Sequence, residues 1–249
     1  MPGEVFLVGA GPGDPELLTV KAAGLIQRAD AILFDRLVDA RVLALAKPKA
    51  LLEDVGKQKG VSAQAVQHTI QARLAQYARQ GLIVVRLKGG DPYVFGRGGE
   101  EALALTMAGI RWSVVPEISS ALAGPALARI PVTFRGVSDS VTVLTAHHAQ
   151  GESPDWRFWA TVPGTLVILM GMDRLADIAG GLMAGGKAAQ TPVAVIRWAS
   201  WPHQQAVRTV LDELVATCRQ TSLGSPAVLV IGPTVPLLPE GGNSVGAHA

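Results

Sequence analysis

The sequence predicts an α/β protein built from two domains with mixed, largely parallel sheets. Short apolar runs alternate with helical patterns along the 249 residues, and this alternation is typical of the β-α units that build a parallel sheet. Ten runs are strand candidates, which two sheets accommodate better than one. Two glycine-rich loops directly follow strand candidates, the position at which open α/β sheets bind ligands.

The composition favours a folded protein that acts on a small molecule. Hydrophobic residues make up 49% of the chain and charged residues 17%, so disorder is excluded. The net charge of +2 comes from dispersed basic and acidic residues, which argues against nucleic-acid binding. The longest apolar run, near Thr165–Gly171, is too short to span a membrane. Cys218 has no cysteine partner in the chain and the first residues show no secretion signal, so we expect a cytoplasmic protein.

The first domain is predicted to span residues 1–115. A helix is expected after Ser62, since the apolar residues that follow recur at helical spacing until Gly81, and a second helix over Glu100–Ala108. The strand candidates are Val5–Val8, Ala31–Phe34, Leu51–Asp54, Leu82–Leu87 and Trp112–Val115.

The second domain is predicted to span residues 116–239, followed by a flexible tail over residues 240–249, which are small and polar. Helices are expected near Arg174–Met183 and Leu211–Arg219. The strand candidates are Val141–Thr145, Thr165–Met170, Val193–Trp198, Ala206–Val210 and Ala227–Ile231.

The first glycine loop, Gly9–Asp14, joins a strand to a helix. Asp14 suits the N-cap and Pro15 the first helical position. A dinucleotide-binding fingerprint is disfavoured because Asp14 stands where its third glycine belongs, and because Pro12 lacks the N–H that a pyrophosphate would accept. The loop either lets a different ligand approach the backbone or is a tight turn that only starts the helix.

The second glycine loop is richer than a turn requires, with five glycines in residues 89–99. Asp91 is placed to pair with a cationic or hydroxyl group of a ligand, and Arg97 to hold a carboxylate. Arg86 and Lys88 flank the preceding strand and are interpreted as solvated side chains.

Glu101, beside Glu100, lies in the first turn of a helix. The helix dipole favours an acidic residue at this position without any further role.

Taken together, these strings resemble the uroporphyrinogen-III C-methyltransferases of the tetrapyrrole methylase superfamily, and the resemblance covers nearly the whole chain. The combination of GAGPGD, DRLV and RLKGGDP followed by FGRGGEE is highly specific. The matching stretches are Val8–Lys21, Ala29–Val38, Val84–Glu101, Val114–Gly136, Thr165–Gly171, Thr191–Ala194 and Pro226–Gly232.

The resemblance implies two α/β domains with a cleft between them, a homodimer, and S-adenosylmethionine bound in the cleft. It implies two successive methylations, at carbons 2 and 7 of uroporphyrinogen III, which give precorrin-2 for sirohaem or cobalamin synthesis. The alternatives are a C-methyltransferase for a later precorrin and a non-catalytic protein that binds S-adenosylmethionine or a tetrapyrrole.

The resemblance also assigns site residues, and it implies no metal. Those for catalysis are Glu100, Arg97 and Asp35; those for the tetrapyrrole are Arg36, Arg97, Arg135 and Met170. Those for the cofactor are Pro12, Gly89, Gly90, Asp91, Val94, Phe95, Ser119, Ser120, Met170, Ala199 and Ala227.

Several positions depart from the family pattern, and three of them bear on the predicted site. Glu117 replaces a glycine, Phe134 a histidine and Leu169 a tyrosine. If the glycine has a positive φ, glutamate at this position costs roughly 1–2 kcal/mol.

Overall fold

The computed structural model describes residues 3–56, 62–147 and 153–239. The chain divides into two compact units with the boundary between Ser119 and Ser120; the predicted division after residue 115 lies a few residues earlier. Each unit contains one five-stranded sheet. The predicted tail, residues 240–249, lies outside the described residues.

The sheet of the first unit is entirely parallel, with the order β3-β2-β4-β1-β5. Its central strands β1 and β4 are apolar because helices cover both faces, and Val5, Leu7 and Val84 are fully buried. All five predicted strands are confirmed to within one residue at each end. The bounds are β1 Glu4–Gly9, β2 Ala31–Phe34, β3 Leu51–Asp54, β4 Ile83–Lys88 and β5 Arg111–Val115.

The helices of this unit begin at the expected caps, with one refinement. The Ser62 hydroxyl accepts the Ala65 N–H and starts α3, as predicted. Asp14 starts only a 3-10 turn at Pro15–Leu17, and α1 begins after Thr19, whose hydroxyl accepts the Ala22 N–H. The bounds are α1 Val20–Arg28, α2 Ala40–Leu43, α3 Ala63–Arg79 and α4 Gly98–Met107.

The second sheet is mixed, with the order β6-β7-β10-β8-β9. Only β6 and β7 pair in parallel, since a short loop joins β8 to β9 and β10 inserts antiparallel between β7 and β8. The predicted ends Met170 and Trp198 lie just beyond their strands, where φ becomes positive. The bounds are β6 Val141–Thr145, β7 Thr165–Leu169, β8 Pro192–Arg197, β9 Gln205–Val210 and β10 Ala227–Ile231.

Four helices cover the second sheet. The two predicted helices are present, and α5 and α6 were not predicted because α5 contains Pro125 and α6 is short. No helix in the described part of the chain is both long and apolar enough to cross a bilayer. The bounds are α5 Ser120–Leu127, α6 Trp156–Thr161, α7 Leu175–Ala184 and α8 Leu214–Gln220.

Adjacent glycines in α7 provide a matched test of packing in the second unit. A Cβ built on Gly181 would lie 2.5 Å from the Trp156 Cβ, whereas one built on Gly180 meets no atom within 4 Å. We expect Gly181→Ala to lower the free energy of unfolding by about 2 kcal/mol through overpacking. Gly180→Ala should raise it by about 0.5–1 kcal/mol, because alanine is the better helix former. Urea denaturation measures both, and equal effects would contradict this packing.

Candidate active site

The two glycine loops meet at the carboxyl edge of the first sheet. Gly11 and Gly90 form an antiparallel bridge in which the Gly90 N–H donates to the Gly11 carbonyl over 2.8 Å. The Ala10 N–H donates to the Lys88 carbonyl over 2.7 Å. Gly11 and Gly90 have φ of +64° and +70°, which other residues rarely adopt. The predicted cofactor residue Pro12 is half-buried and follows this bridge.

Two further glycines are required by close packing. A Cβ on Gly9 would collide with the Glu117 Cβ and lie 2.5 Å from the Gly90 carbonyl oxygen. A Cβ on Gly89 would lie 3.1 Å from the Leu37 Cβ. The first glycine loop therefore does more than start a helix, because its backbone is in contact with the loops after β4 and β5.

Asp91 fixes the second loop from within. One carboxylate oxygen accepts the Tyr93 N–H over 2.8 Å, and the other accepts the Glu117 N–H over 3.0 Å. Val94 follows, half-buried, and its N–H donates to the Asp91 carbonyl. Ser119, also predicted for the cofactor, is buried at the end of the loop after β5. Asp91 thus links the loops that follow β4 and β5.

Strained backbone is concentrated in the loops that carry the predicted site residues. Of the seven non-glycine residues with positive φ in the described chain, three are themselves predicted site residues: Phe95, Arg97 and Met170. Two more, Trp198 and Ser200, flank Ala199. Such conformations cost of order 1–3 kcal/mol each and persist mainly where function requires them.

Arg97 and Glu100 form a bidentate ion pair. The Arg97 Nη2 and Nε atoms lie 2.6 Å and 2.9 Å from the two Glu100 carboxylate oxygens, and Nη1 donates to the Ala63 carbonyl. The bond from Arg97 lowers the pKa of Glu100, so this carboxylate is a weak base. Because both Glu100 oxygens bond Arg97, Glu100 is better placed to orient this arginine than to accept a proton.

Arg86, Lys88 and Glu101 are fully buried, so the interpretation of the two basic residues as solvated is wrong. One Glu101 oxygen accepts from the Arg86 Nε over 3.1 Å, the Lys88 Nζ over 3.0 Å and the amide of Gln67 over 3.1 Å. Burial, together with the charge of Arg86, lowers the pKa of Lys88, and Glu101 opposes this shift. Glu101 therefore neutralises two buried cations, and the helix dipole alone does not explain it.

The buried cluster extends to the predicted catalytic residue Asp35. The Arg86 Nη2 lies 2.6 Å from one Asp35 carboxylate oxygen, and Nη1 donates to the carbonyls of Leu33 and Leu87. The Asp35 side chain is 32% exposed, so it lies between the buried cluster and solvent. One feature of the sequence could have predicted this cluster. Arg86 lies within an apolar strand, and the central strands of a parallel sheet are buried on both faces.

The predicted tetrapyrrole residues Arg36 and Arg135 are exposed. Arg36 lies in the turn after β2, and its aliphatic part occupies the space that a side chain on Gly56 would need. Arg135 lies in a loop closed by two backbone hydrogen bonds between Phe134 and Ser138. Phe134, which replaces a family histidine, is 45% exposed.

In the second unit, one sheet edge brings together Met170, Ala227 and Ala199. Leu169 pairs with Val228 and Arg197 with Ala227, so Met170 and Ala199 follow the ends of β7 and β8 where β10 begins. Met170 is 48% exposed, whereas Ala199 is buried. Ser120 opens α5, which packs against this edge through Gly124. The predicted cofactor residues thus form one group in each unit.

Glu117 does not have a positive φ, so the strain expected at this position does not arise. One of its carboxylate oxygens accepts both the N–H and the hydroxyl of Thr19, each over 2.7 Å. Its own N–H donates to Asp91. This residue therefore joins the loop after β5 to the start of α1 and to the second glycine loop.

Comparison with known proteins identifies what the chain resembles. The model for the family described as tetrapyrrole (corrin/porphyrin) methylases matches residues 4–215. A uroporphyrinogen-III C-methyltransferase from Pseudomonas aeruginosa is 48% identical over 93% of this chain and 94% of its own length.

Solved structures of methyltransferases resemble this chain as well. The uroporphyrin-III C-methyltransferase of Thermus thermophilus, in complex with S-adenosylhomocysteine, has a TM-score of 0.82 and 41% identity, with 94% of this chain and all of that chain covered. The cobalt precorrin-4 methyltransferase CbiF has the same TM-score but only 27% identity, over 92% of this chain and 94% of its own.

Proposed function

Because this chain belongs to the tetrapyrrole (corrin/porphyrin) methylase family, we propose that it is an S-adenosylmethionine-dependent uroporphyrinogen-III C-methyltransferase. It adds methyl groups at carbons 2 and 7 and gives precorrin-2. The concentration of strained backbone in the loops that hold Phe95, Arg97, Met170 and Ala199 carries this proposal. The lower identity to CbiF disfavours a later precorrin as substrate.

The glycine loops fit S-adenosylmethionine. Gly11 and Gly90, which have positive φ and no side chain, permit a ligand to approach the main chain closely. When bound, the cofactor supplies a methyl group on an already activated sulfonium. The residues that we assign to it are Pro12, Gly89, Gly90, Asp91, Val94, Phe95 and Ser119 in the first unit, and Ser120, Met170, Ala199 and Ala227 in the second.

Three arginines bind the carboxylates of the macrocycle. Arg36 and Arg135 are exposed, and Arg97 is held by Glu100 with part of its guanidinium accessible. Guanidinium groups suit carboxylates because they keep their charge and direct several donors in one plane. In Arg97 the Nε and Nη2 donors bond Glu100, so its Nη1 side faces the macrocycle. Met170 supplies apolar contact to the macrocycle.

Asp35 orients the macrocycle rather than accepting its proton, because Arg86 pairs with it as Arg97 pairs with Glu100. Arg86 holds one of its carboxylate oxygens, and the partly exposed carboxylate then orients a pyrrole N–H. Glu100 supports the reaction indirectly, because its ion pair with Arg97 fixes the guanidinium that binds substrate.

We further propose that the chain acts in the cytoplasm as a homodimer. A buried free thiol at Cys218 fits a reducing compartment. On α4, Leu103 and Met107 are 62% and 82% exposed and share one helix face, which provides apolar surface for a second copy. Sedimentation of the purified chain tests this assembly.

Gly90→Ala tests the assignment of the cofactor loop. A residue with a side chain at a φ of +70° is strained, and its Cβ would narrow the approach to the backbone. We expect the dissociation constant for S-adenosylhomocysteine to rise roughly 5–30-fold, because a loop that relaxes to relieve a strain of about 1–2 kcal/mol must regain that strain to bind the ligand. The matched control is Gly99→Ala, where a Cβ meets no atom within 4 Å. Calorimetry measures both, and unchanged affinity in Gly90→Ala would refute the assignment.

A further inference from the structure

Two carboxylates, Asp91 and Glu117, lie together where the loops after β1, β4 and β5 meet. The Glu117 N–H donates to Asp91, and one Glu117 carboxylate oxygen accepts both hydrogen bonds from Thr19. The Glu117 side chain also packs against Gly9. Glu117 is thus held in one position at the centre of the proposed cofactor loops.

This pair of carboxylates has no basic ion-pair partner in the part of the chain that the structure describes. The other Glu117 oxygen, Oε2, is buried and has no hydrogen-bond partner in the described residues. Burial raises the pKa of Glu117, hydrogen bonds from Thr19 and from the Ile118 N–H oppose this shift, and repulsion from Asp91 adds a smaller upward contribution. A cation nearby would stabilise this arrangement.

We propose that Glu117 is a charge-selecting residue of the cofactor site, which makes the site prefer the cationic sulfonium S-adenosylmethionine over the neutral thioether S-adenosylhomocysteine. The inference rests on the proposed function. Donor and product differ by one methyl group and one positive charge. A carboxylate held in one position, with its Oε2 atom buried, therefore stabilises the bound cation relative to the neutral product without touching either ligand.

A preference for the cation affects how readily the product leaves between reaction cycles. Without such selection, product and donor compete on similar terms for the same loops. With it, the site releases the neutral product more readily than it releases the donor. Glu117 stands where the resembled family has glycine, so this selection is a property of chains that carry an acid at this position.

The test is a comparison of dissociation constants for S-adenosylmethionine and S-adenosylhomocysteine by calorimetry, at about pH 8. Glu117→Gln keeps an oxygen for both Thr19 bonds and removes the charge. We expect it to weaken S-adenosylmethionine binding about tenfold and to leave S-adenosylhomocysteine binding nearly unchanged. The matched control is Glu16→Gln, which removes an exposed charge close in sequence to the first glycine loop. It should change neither of the two dissociation constants nor the ratio between them.

A second variant distinguishes the charge of Glu117 from the hydrogen bond that holds its side chain in place. Thr19→Val removes the hydroxyl bond but keeps the carboxylate, so it should retain the preference for the cation even if both ligands bind more weakly. Equal losses of both ligands in Glu117→Gln, or no loss of either, would overturn the inference while leaving the proposed function intact. Failure of the unaltered protein to bind either ligand would instead overturn the proposed function, and the inference with it.

Discussion

Replacing Glu101 with glutamine is expected to lower the free energy of unfolding by about 3 kcal/mol. Glu101 is fully buried and one of its oxygens accepts from Arg86, Lys88 and Gln67. Removal of its charge leaves two buried cations with only Asp35 to balance them. The loss is large because desolvated charges that have no counter-charge cannot recover their hydration energy. Chemical denaturation measures it directly.

The neighbouring residue provides the control. Glu100 is half exposed and its ion pair with Arg97 lies at the surface, so Glu100→Gln should cost less than about 1 kcal/mol. Similar losses for the two variants would show that Glu101 does not neutralise a buried cluster. Because the substitutions are chemically identical and adjacent in α4, helix propensity does not distinguish them.

Arg97→Ala should lower kcat/KM for the tetrapyrrole by roughly 10–100-fold, the loss expected for a charge-assisted hydrogen bond worth about 1.5–3 kcal/mol. The affinity for S-adenosylhomocysteine should change less than about twofold, since we assign Arg97 to the macrocycle. Arg97→Lys should recover only part of the activity, because lysine keeps the charge but lacks the paired donors through which Glu100 holds the side chain in position. Steady-state kinetics and calorimetry give the two quantities.

An exposed arginine on α3 serves as the control. Arg79 lies outside the residues that we assign to either ligand, and Arg79→Ala should leave kcat/KM unchanged. If Arg97→Ala weakened binding of cofactor and tetrapyrrole equally, the assignment of this residue to the substrate would be wrong.

The sequence predicted the strands well because local patterns determine them. Each of the ten apolar runs forms a strand with its ends within one residue of the prediction. At Met170 and Trp198 the strand stops one residue early because φ becomes positive. The sequence did not predict the order and direction in which the strands of the second sheet pair. Insertion of β10 between β7 and β8 depends on contacts remote in sequence, which apolar runs alone do not report.

The meeting of the glycine loops was anticipated from their positions after strands, and the structure brings Gly11 and Gly90 together. The buried ion cluster was not anticipated. Arg86 and Lys88 were interpreted by residue type, whereas their burial depends on β4 being central and on α4 placing Glu101 beneath it. The assignments of individual residues to cofactor and substrate derive from the resemblance and stay predictions.

The role of Glu117 also depends on a contact between residues far apart in the sequence. Sequence comparison raised the question of strain at a glycine position, but the backbone there is unstrained and the side chain bonds Thr19. Thr19 and Glu117 are far apart in the chain, so their contact follows only from the arrangement of β1 and β5.

The central claim is tested most directly by anaerobic turnover of freshly generated uroporphyrinogen III with S-adenosylmethionine, with the products followed by mass and absorbance. The account predicts a gain of two methyl groups, at carbons 2 and 7, to give precorrin-2. A protein that binds S-adenosylhomocysteine but transfers no methyl group to this substrate would contradict it.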